Sequence, residues 1–82
     1  MYRILTERKN ADQVKNLLVA SGLDYTIFYG DGSWHGAAEY SMAIELDNSP
    51  RIVAESLAQI IKFINGQAAI LIQEIPTSGV LL

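Results

Sequence analysis

The sequence has no cysteine, and only one histidine, one tryptophan and two prolines among 82 residues. Without cysteine there is no disulfide and no thiolate metal site. A single histidine argues against zinc as well, because such sites combine several His and Cys ligands. We therefore expect neither metal nor cofactor. Basic residues are also few: Arg3, Arg8, Lys9, Lys15, Arg51 and Lys62 are scattered, the net charge is −3 and the pI is about 4.8. A nucleic-acid binder shows a basic stripe that neutralises phosphates, and only the Arg8-Lys9 pair stands together, which argues against nucleic acid as a partner. No apolar run approaches the ~20 residues that span a bilayer. The chain runs straight into Tyr2-Arg3-Ile4-Leu5 without the layout of a signal peptide. The expectation is a cytoplasmic protein, or one acting in a host's cytoplasm, with no membrane partner.

What is present is apolar side chains, half of all residues. The length corresponds to one domain, residues 1–82. Domains this small bury a modest fraction of their surface. With disulfides and metals set aside, a good core or self-association must stabilise the chain.

Tyr2 to Glu7 alternates and suits a strand. Asn10 can cap a helix, with Gln13 three residues on. Val14, Leu17, Leu18 and Ser21 then follow at helical spacing, and Gly22 fits the helix stop with Leu23 folding back. Asp24 to Tyr29 reads as a strand, and Gly30-Asp31-Gly32 as a hairpin turn whose glycines supply positive φ. Glu39 to Leu46 is the next strand. Ser49 at the cap and Pro50 at the first helical position open a second helix. Its core stripe is Val53, Leu57, Ile60, Ile61 and Ile64, and Gly66 ends it. Ala68 to Ile75 is a last strand, stopped by Pro76.

The order is β-α-β-β-α-β, the ferredoxin-like arrangement. Right-handed crossovers put both helices on one face of a four-stranded antiparallel sheet, in spatial order 4-1-3-2. The alternative is a three-stranded α+β domain whose last strand swaps to a partner. A sheet covered on one side should alternate apolar and polar. The stretch Ala68 to Ile72 and the strand carrying Tyr25, Ile27 and Tyr29 against Thr26 and Phe28 are apolar on both sides. The second face therefore meets something apolar, most simply another copy in a dimer or trimer.

Candidate site residues cluster in the hairpin: Gly30, Asp31, Gly32, Ser33, Trp34, His35, Gly36, Glu39 and Ser41. A glycine-rich loop can bind anions through backbone N–H groups, but phosphate loops open a helix and carry Lys, and this one does neither. A hairpin turn does not need a tryptophan, so Trp34 points to a subunit contact or, second, a ligand. His35 can act as a base, Glu39 could orient it or accept from a ligand amine, and Ser41 lies on the same strand face as Glu39. No Gly-x-Ser-x-Gly elbow supports Ser41 as a nucleophile, and no residue is assigned a catalytic role. The RNA-recognition module shares this strand order and stacks bases on aromatics of its central strands. Its Lys/Arg-Gly-aromatic run is missing from Glu39-Tyr40-Ser41-Met42.

The string Gly32-x-Trp34-x-Gly36-x-x-Glu39-x-Ser41-x-x-Ile44-Glu45 resembles one in small uncharacterised proteins of bacteriophages and bacteria, over about residues 24–75. That likeness implies no known activity and suggests a phage origin. More loosely, the plan resembles trimeric ferredoxin-like proteins of the PII and CutA type, whose extended hairpins serve subunit interfaces; Trp34, Gly36 and Glu39 echo the latter. The resemblance implies assembly, and the basic nucleotide-binding residues of the former are missing. The leading functional expectation is a small homo-oligomeric binding or regulatory protein whose small-molecule or protein partner meets the Gly30–Ser41 hairpin. The alternatives are a small hydrolytic enzyme using His35 and Glu39, and, third, an RNA binder.

Overall fold

The computed structural model describes residues 1–34, 37–76, 79, 80 and 82, and for residues 31–34 and 37–40 the backbone alone. The elements run β1 (Tyr2–Glu7), α1 (Ala11–Ser21), β2 (Tyr25–Trp34), β3 (Ala37–Leu46), α2 (Arg51–Asn65) and β4 (Leu71–Glu74). All strand pairs are antiparallel, in the order β2-β3-β1-β4. This is the α+β ferredoxin-like fold, and β4 pairs with β1 of its own chain.

The period of two along each strand selects one face for burial. Ile4 and Thr6 of β1 stand opposite Ile44 and Met42 of β3, and Ile27 of β2 also meets Ile44. Ile4, Met42, Ile44 and Leu46 are fully buried, with Val14 and Leu18 of α1 and Ala54, Leu57, Ala58 and Ile61 of α2 over them. Both helices therefore cover the same face. The buried stripe of α2 is rotated from the expected one: Ile60 is exposed and Val53 only half-buried, while Ala54 and Ala58 lie at the contact. The two alanines let the helix backbone approach the sheet closely, which bulkier Val53 and Ile60 would prevent.

Several boundaries differ from the expectations. Gly30, Asp31 and Gly32 do not form the turn. They lie within β2, opposite Ser41, Tyr40 and Glu39, and Gly30 stays outside the left-handed region. Each further rung of the ladder adds paired backbone groups, so pairing continues to Trp34 opposite Ala37. His35 and Gly36 lie outside the described residues. At the start of α2, Pro50 is the N-cap, extended at φ −70° and ψ 159°, with no side-chain cap from Ser49. A proline biases its predecessor away from helical angles, so the helix begins at Arg51. There Glu55 accepts from Arg51 Nε at 2.8 Å; that hydrogen bond, with the charge behind it, raises the Arg51 pKa. β4 is shorter than expected, beginning at Leu71 instead of Ala68.

Asn10 does cap α1 by position, but in left-handed geometry (φ 49°) and without a side-chain cap bond. The far end of α2 is closed by a full Schellman motif. Gly66 N–H donates to Phe63 O at 3.2 Å and Gln67 N–H to Lys62 O at 3.0 Å. The motif needs Gly66 at φ 63°, where a β-carbon meets no neighbouring atom but pays the left-handed penalty. Gly66→Ala is accordingly expected to lower stability by ~1–2 kcal/mol, a fall in Tm of several degrees by calorimetry, with no change in secondary structure by circular dichroism.

Candidate functional site

Among the expected site residues, the fold brings Gly30 and Ser41 together. They are opposite one another across β2 and β3, and Ser41 Oγ donates to Gly30 O at 3.3 Å. That bond orients the hydroxyl along the sheet edge. Asp31, Gly32, Ser33, Trp34 and Glu39 are placed by their backbones on a two-stranded ribbon. β1 ends its pairing at Glu7 opposite Ser41, whereas the β2–β3 ladder continues for the four pairs from Asp31–Tyr40 to Trp34–Ala37. The ribbon thus runs on past the sheet. His35 and Gly36, and the side chains of Trp34 and Glu39, lie outside what is described.

The face of the sheet turned away from the helices is built in rows. Registers place Phe28 opposite Ala43, Ala43 opposite Leu5, and Leu5 opposite Leu71. One apolar row therefore crosses all four strands, and Phe28 and Leu71 at its ends are each 52% exposed. The neighbouring row is polar: Thr26, Glu45, Arg3 and Gln73. In it Arg3 Nε donates to Glu45 at 2.9 Å, and Nη2 reaches the same carboxylate oxygen. On the other side lie Gly30, Ser41 and Glu7. At the ribbon side of the helix-covered face, the Arg8 guanidinium sits 4.3 Å from the centre of the Tyr29 ring, a cation–π contact.

A cleft of about 570 Å³ opens where β4 leaves β1, bounded by Leu5, Glu7, Ser41 and the 67–71 segment. The cause of the parting can be traced. Met1 and Ile75 exchange both backbone bonds, at 2.9 and 3.3 Å. In an antiparallel ladder such pairs recur at every second residue, so Arg3–Gln73 and Leu5–Leu71 follow and Glu7–Ala69 would be next. That last rung is missing. Its two carbonyls are taken by side-chain amides: Asn65 Nδ2 donates to Glu7 O at 3.4 Å and Gln67 Nε2 to Ala69 O at 3.0 Å. The same Asn65 amide donates to Gln67 Oε1 at 2.7 Å and Thr6 Oγ1 at 3.3 Å, while Thr6 Oγ1 donates to Gln67 Oε1. Asn10 Nδ2 completes the cluster by donating to Asn65 Oδ1 at 3.4 Å and Ile64 O at 3.2 Å. Thr6 and Asn65 are buried, and among the described residues no buried side-chain polar atom lacks a partner.

Sequence reasoning did not single out Glu7, Asn65 or Gln67. Asn65-Gly66-Gln67 reads as an ordinary helix stop, and nothing local shows that its amides reach residues about 60 positions earlier. A second, smaller concavity of about 250 Å³ lies between α1 and α2, walled mostly by apolar side chains such as Leu17, Leu23, Leu57 and Ile60; Ser21 and Ser56 also line it, their hydroxyls donating to Leu18 O and Ile52 O. Among the described residues no three His, Cys, Asp or Glu side chains are placed to hold a metal, and no helix is long and apolar enough to cross a membrane. No protein-family model matches the chain, and no curated protein matches it significantly.

The amide cluster carries a prediction for stability. Asn65→Ala strips donors from Thr6, Glu7 and Gln67 in a buried place, at a cost of ~2–3 kcal/mol. Ser56→Ala, which removes only an exposed bond to Ile52 O at 2.8 Å, is expected to change stability by less than ~0.5 kcal/mol. Paired urea melts of the two variants measure the contrast.

Proposed function

We propose that this chain is a small homo-oligomeric binding or regulatory protein of the cytoplasm, its copies meeting through the open face of the sheet and the β2–β3 ribbon. The observation that carries this reading is the apolar row Phe28–Ala43–Leu5–Leu71 on a face that neither helix covers. An apolar stripe rimmed by polar rows is the pattern of an interaction surface. Two sheets can face each other about 10 Å apart, interleaving such rows. The ribbon adds to the argument. An isolated two-stranded hairpin is marginal in water, so its outer pairs gain stability if a neighbour meets them. Trp34, on the ribbon, is the residue best suited by type to anchor that contact. The Gly30–Ser41 region would then be the part that a partner or ligand meets.

Light scattering at micromolar concentration is expected to give at least twice the chain mass of 9.0 kDa. Phe28→Glu puts a charge into the apolar row at a half-exposed position, so the fold survives and the mass falls toward that of one chain. Trp34→Ala is expected to act in the same direction and to lower Tm, since removing a well-buried Trp costs ~3–5 kcal/mol. A parent protein that sediments as a single chain sinks the proposal.

A further inference from the structure

The outer edge of β2 points to a contact of a different kind, and we propose that two copies join there, β2 against the partner's β2 in antiparallel register about a two-fold axis at Phe28, so that two four-stranded sheets run into one. This edge contact is separate from the stacking of open faces and stands whether or not those faces meet.

The first argument is where the backbone groups of β2 point. Among the described residues β2 has one strand neighbour, β3, and so forms an edge of the sheet. Met1 exchanges both backbone bonds with Ile75. By alternation the odd-numbered residues of β1 then turn their N–H and C=O groups to β4, and the even-numbered ones turn theirs to β3. Tyr2–Leu46 and Ile4–Ile44 are those pairs. β3 therefore turns Glu45, Ala43 and Ser41 to β2, where they meet Thr26, Phe28 and Gly30. Tyr25, Ile27, Tyr29 and Asp31 are left to present their N–H and C=O groups along the edge. Such an edge is matched by another strand, and an antiparallel two-fold matches it with itself.

The second argument is how the two edges of the sheet differ. Natural sheets guard an edge with lysine, proline, a bulge or a short strand. β4 is guarded: it has four residues, and Pro76 follows shortly after it. β2 has ten residues, contains neither lysine nor proline, and keeps an unbroken register against β3 from Tyr25 to Trp34. Two large aromatics lie exposed on it instead, Phe28 at 52% and Tyr29 at 47%. Joining the two β2 edges leaves only the guarded β4 edges outside, so the association closes at two copies.

The third argument is register. With the axis at Phe28, that residue stands opposite the partner's Phe28 in a non-hydrogen-bonded pair, where Cα atoms approach to ~4.5 Å. Ile27 then faces the partner's Tyr29. Aromatic–aromatic and aromatic–β-branched pairs are favourable across strands. The apolar row Leu71–Leu5–Ala43–Phe28 continues without a gap into the partner's Phe28. An axis at Tyr29 would bring together the two Arg8 guanidiniums, each held over its own Tyr29 ring. An axis at Ile27 would set Phe28 against the partner's Thr26 and limit the pairing, because β2 begins at Tyr25.

Amide hydrogen exchange on the ¹⁵N-labelled parent protein tests the contact residue by residue. In a lone chain the amides of Thr26, Phe28 and Gly30 are held by β3, and those of Tyr25, Ile27 and Tyr29 face water. In the pair both sets are held. Exchange at Tyr25, Ile27 and Tyr29 is expected to slow at least ~10-fold between micromolar and millimolar protein, as mass action favours the pair. Tyr29→Pro removes one outward donor and none that β3 uses; its ¹⁵N spectrum is expected to show a folded chain in which Tyr25 and Ile27 have lost that protection. Leu71→Glu charges the open face on the far strand, at a position 52% exposed, and is expected to leave the protection in place, which separates this contact from face stacking. Fast exchange at Tyr25, Ile27 and Tyr29 of the parent at every concentration overturns the proposal, whether or not the proline variant folds. Protection that survives Tyr29→Pro in a folded chain, or that a folded Leu71→Glu loses, overturns it as well.

Discussion

The side chain of Asn65 ties the end of α2 to the end of β1, and most of the polar organisation of this fold depends on it. The two hydrogens of its amide nitrogen are shared among Gln67 Oε1 at 2.7 Å, Thr6 Oγ1 at 3.3 Å and Glu7 O at 3.4 Å, and its oxygen accepts from Asn10 at the start of α1. A buried amide left without partners would cost more than it contributes, so these residues form a cluster that is satisfied together or not at all. Its position also fixes where β4 starts. Because the amides of Asn65 and Gln67 hold the carbonyls of the would-be next rung, the 67–70 segment cannot zip onto β1.

From that junction the two faces of the sheet diverge in character. The covered face is filled by aliphatic side chains at strand period two, met by small residues of α2 that allow close approach. The other face carries one apolar row between two polar ones. The Arg3–Glu45 pair in the polar row is partly shielded, at 35% and 17% side-chain exposure, and helps hold β1 and β3 in register. A partly exposed ion pair of this kind contributes little to net stability. Its geometric effect is to keep Leu5 beside Ala43, and so to keep the apolar row continuous.

The ribbon and the cleft lie at the same end of β1. Both arise because β1 is short: it stops at Glu7, while β2 and β3 run on and β4 has already turned away. The edge that results is bounded by Ser41 on one side and the 67–70 segment on the other. Edges of sheets expose backbone donors and acceptors that natural proteins cover or use. Here two of the acceptors, the carbonyls of Glu7 and Ala69, are covered by the chain's own amides.

Element order was legible from periodicity, because Val14, Leu18, Ile44 and Leu57 repeat at the spacing of the structure they occupy, and the sheet order and the face that both helices cover followed from that order and the right-handed crossover. The stops at Gly22 and Gly66 were legible as well, since both glycines take the left-handed angles that end helices. The site was less so. Ser41 and Gly30 are together as neighbours on paired strands, but Gly30-Asp31-Gly32 signals a turn by local chemistry and was drawn into a strand by the ladder around it. Nor does any local pattern mark Glu7, Asn65 and Gln67 as one group. Local sequence determines what a residue can do with its near neighbours. Where the pairing of β1 with β4 stops is decided only when α2 docks, because the competing amide of Asn65 arrives from a helix end 58 residues further along the chain.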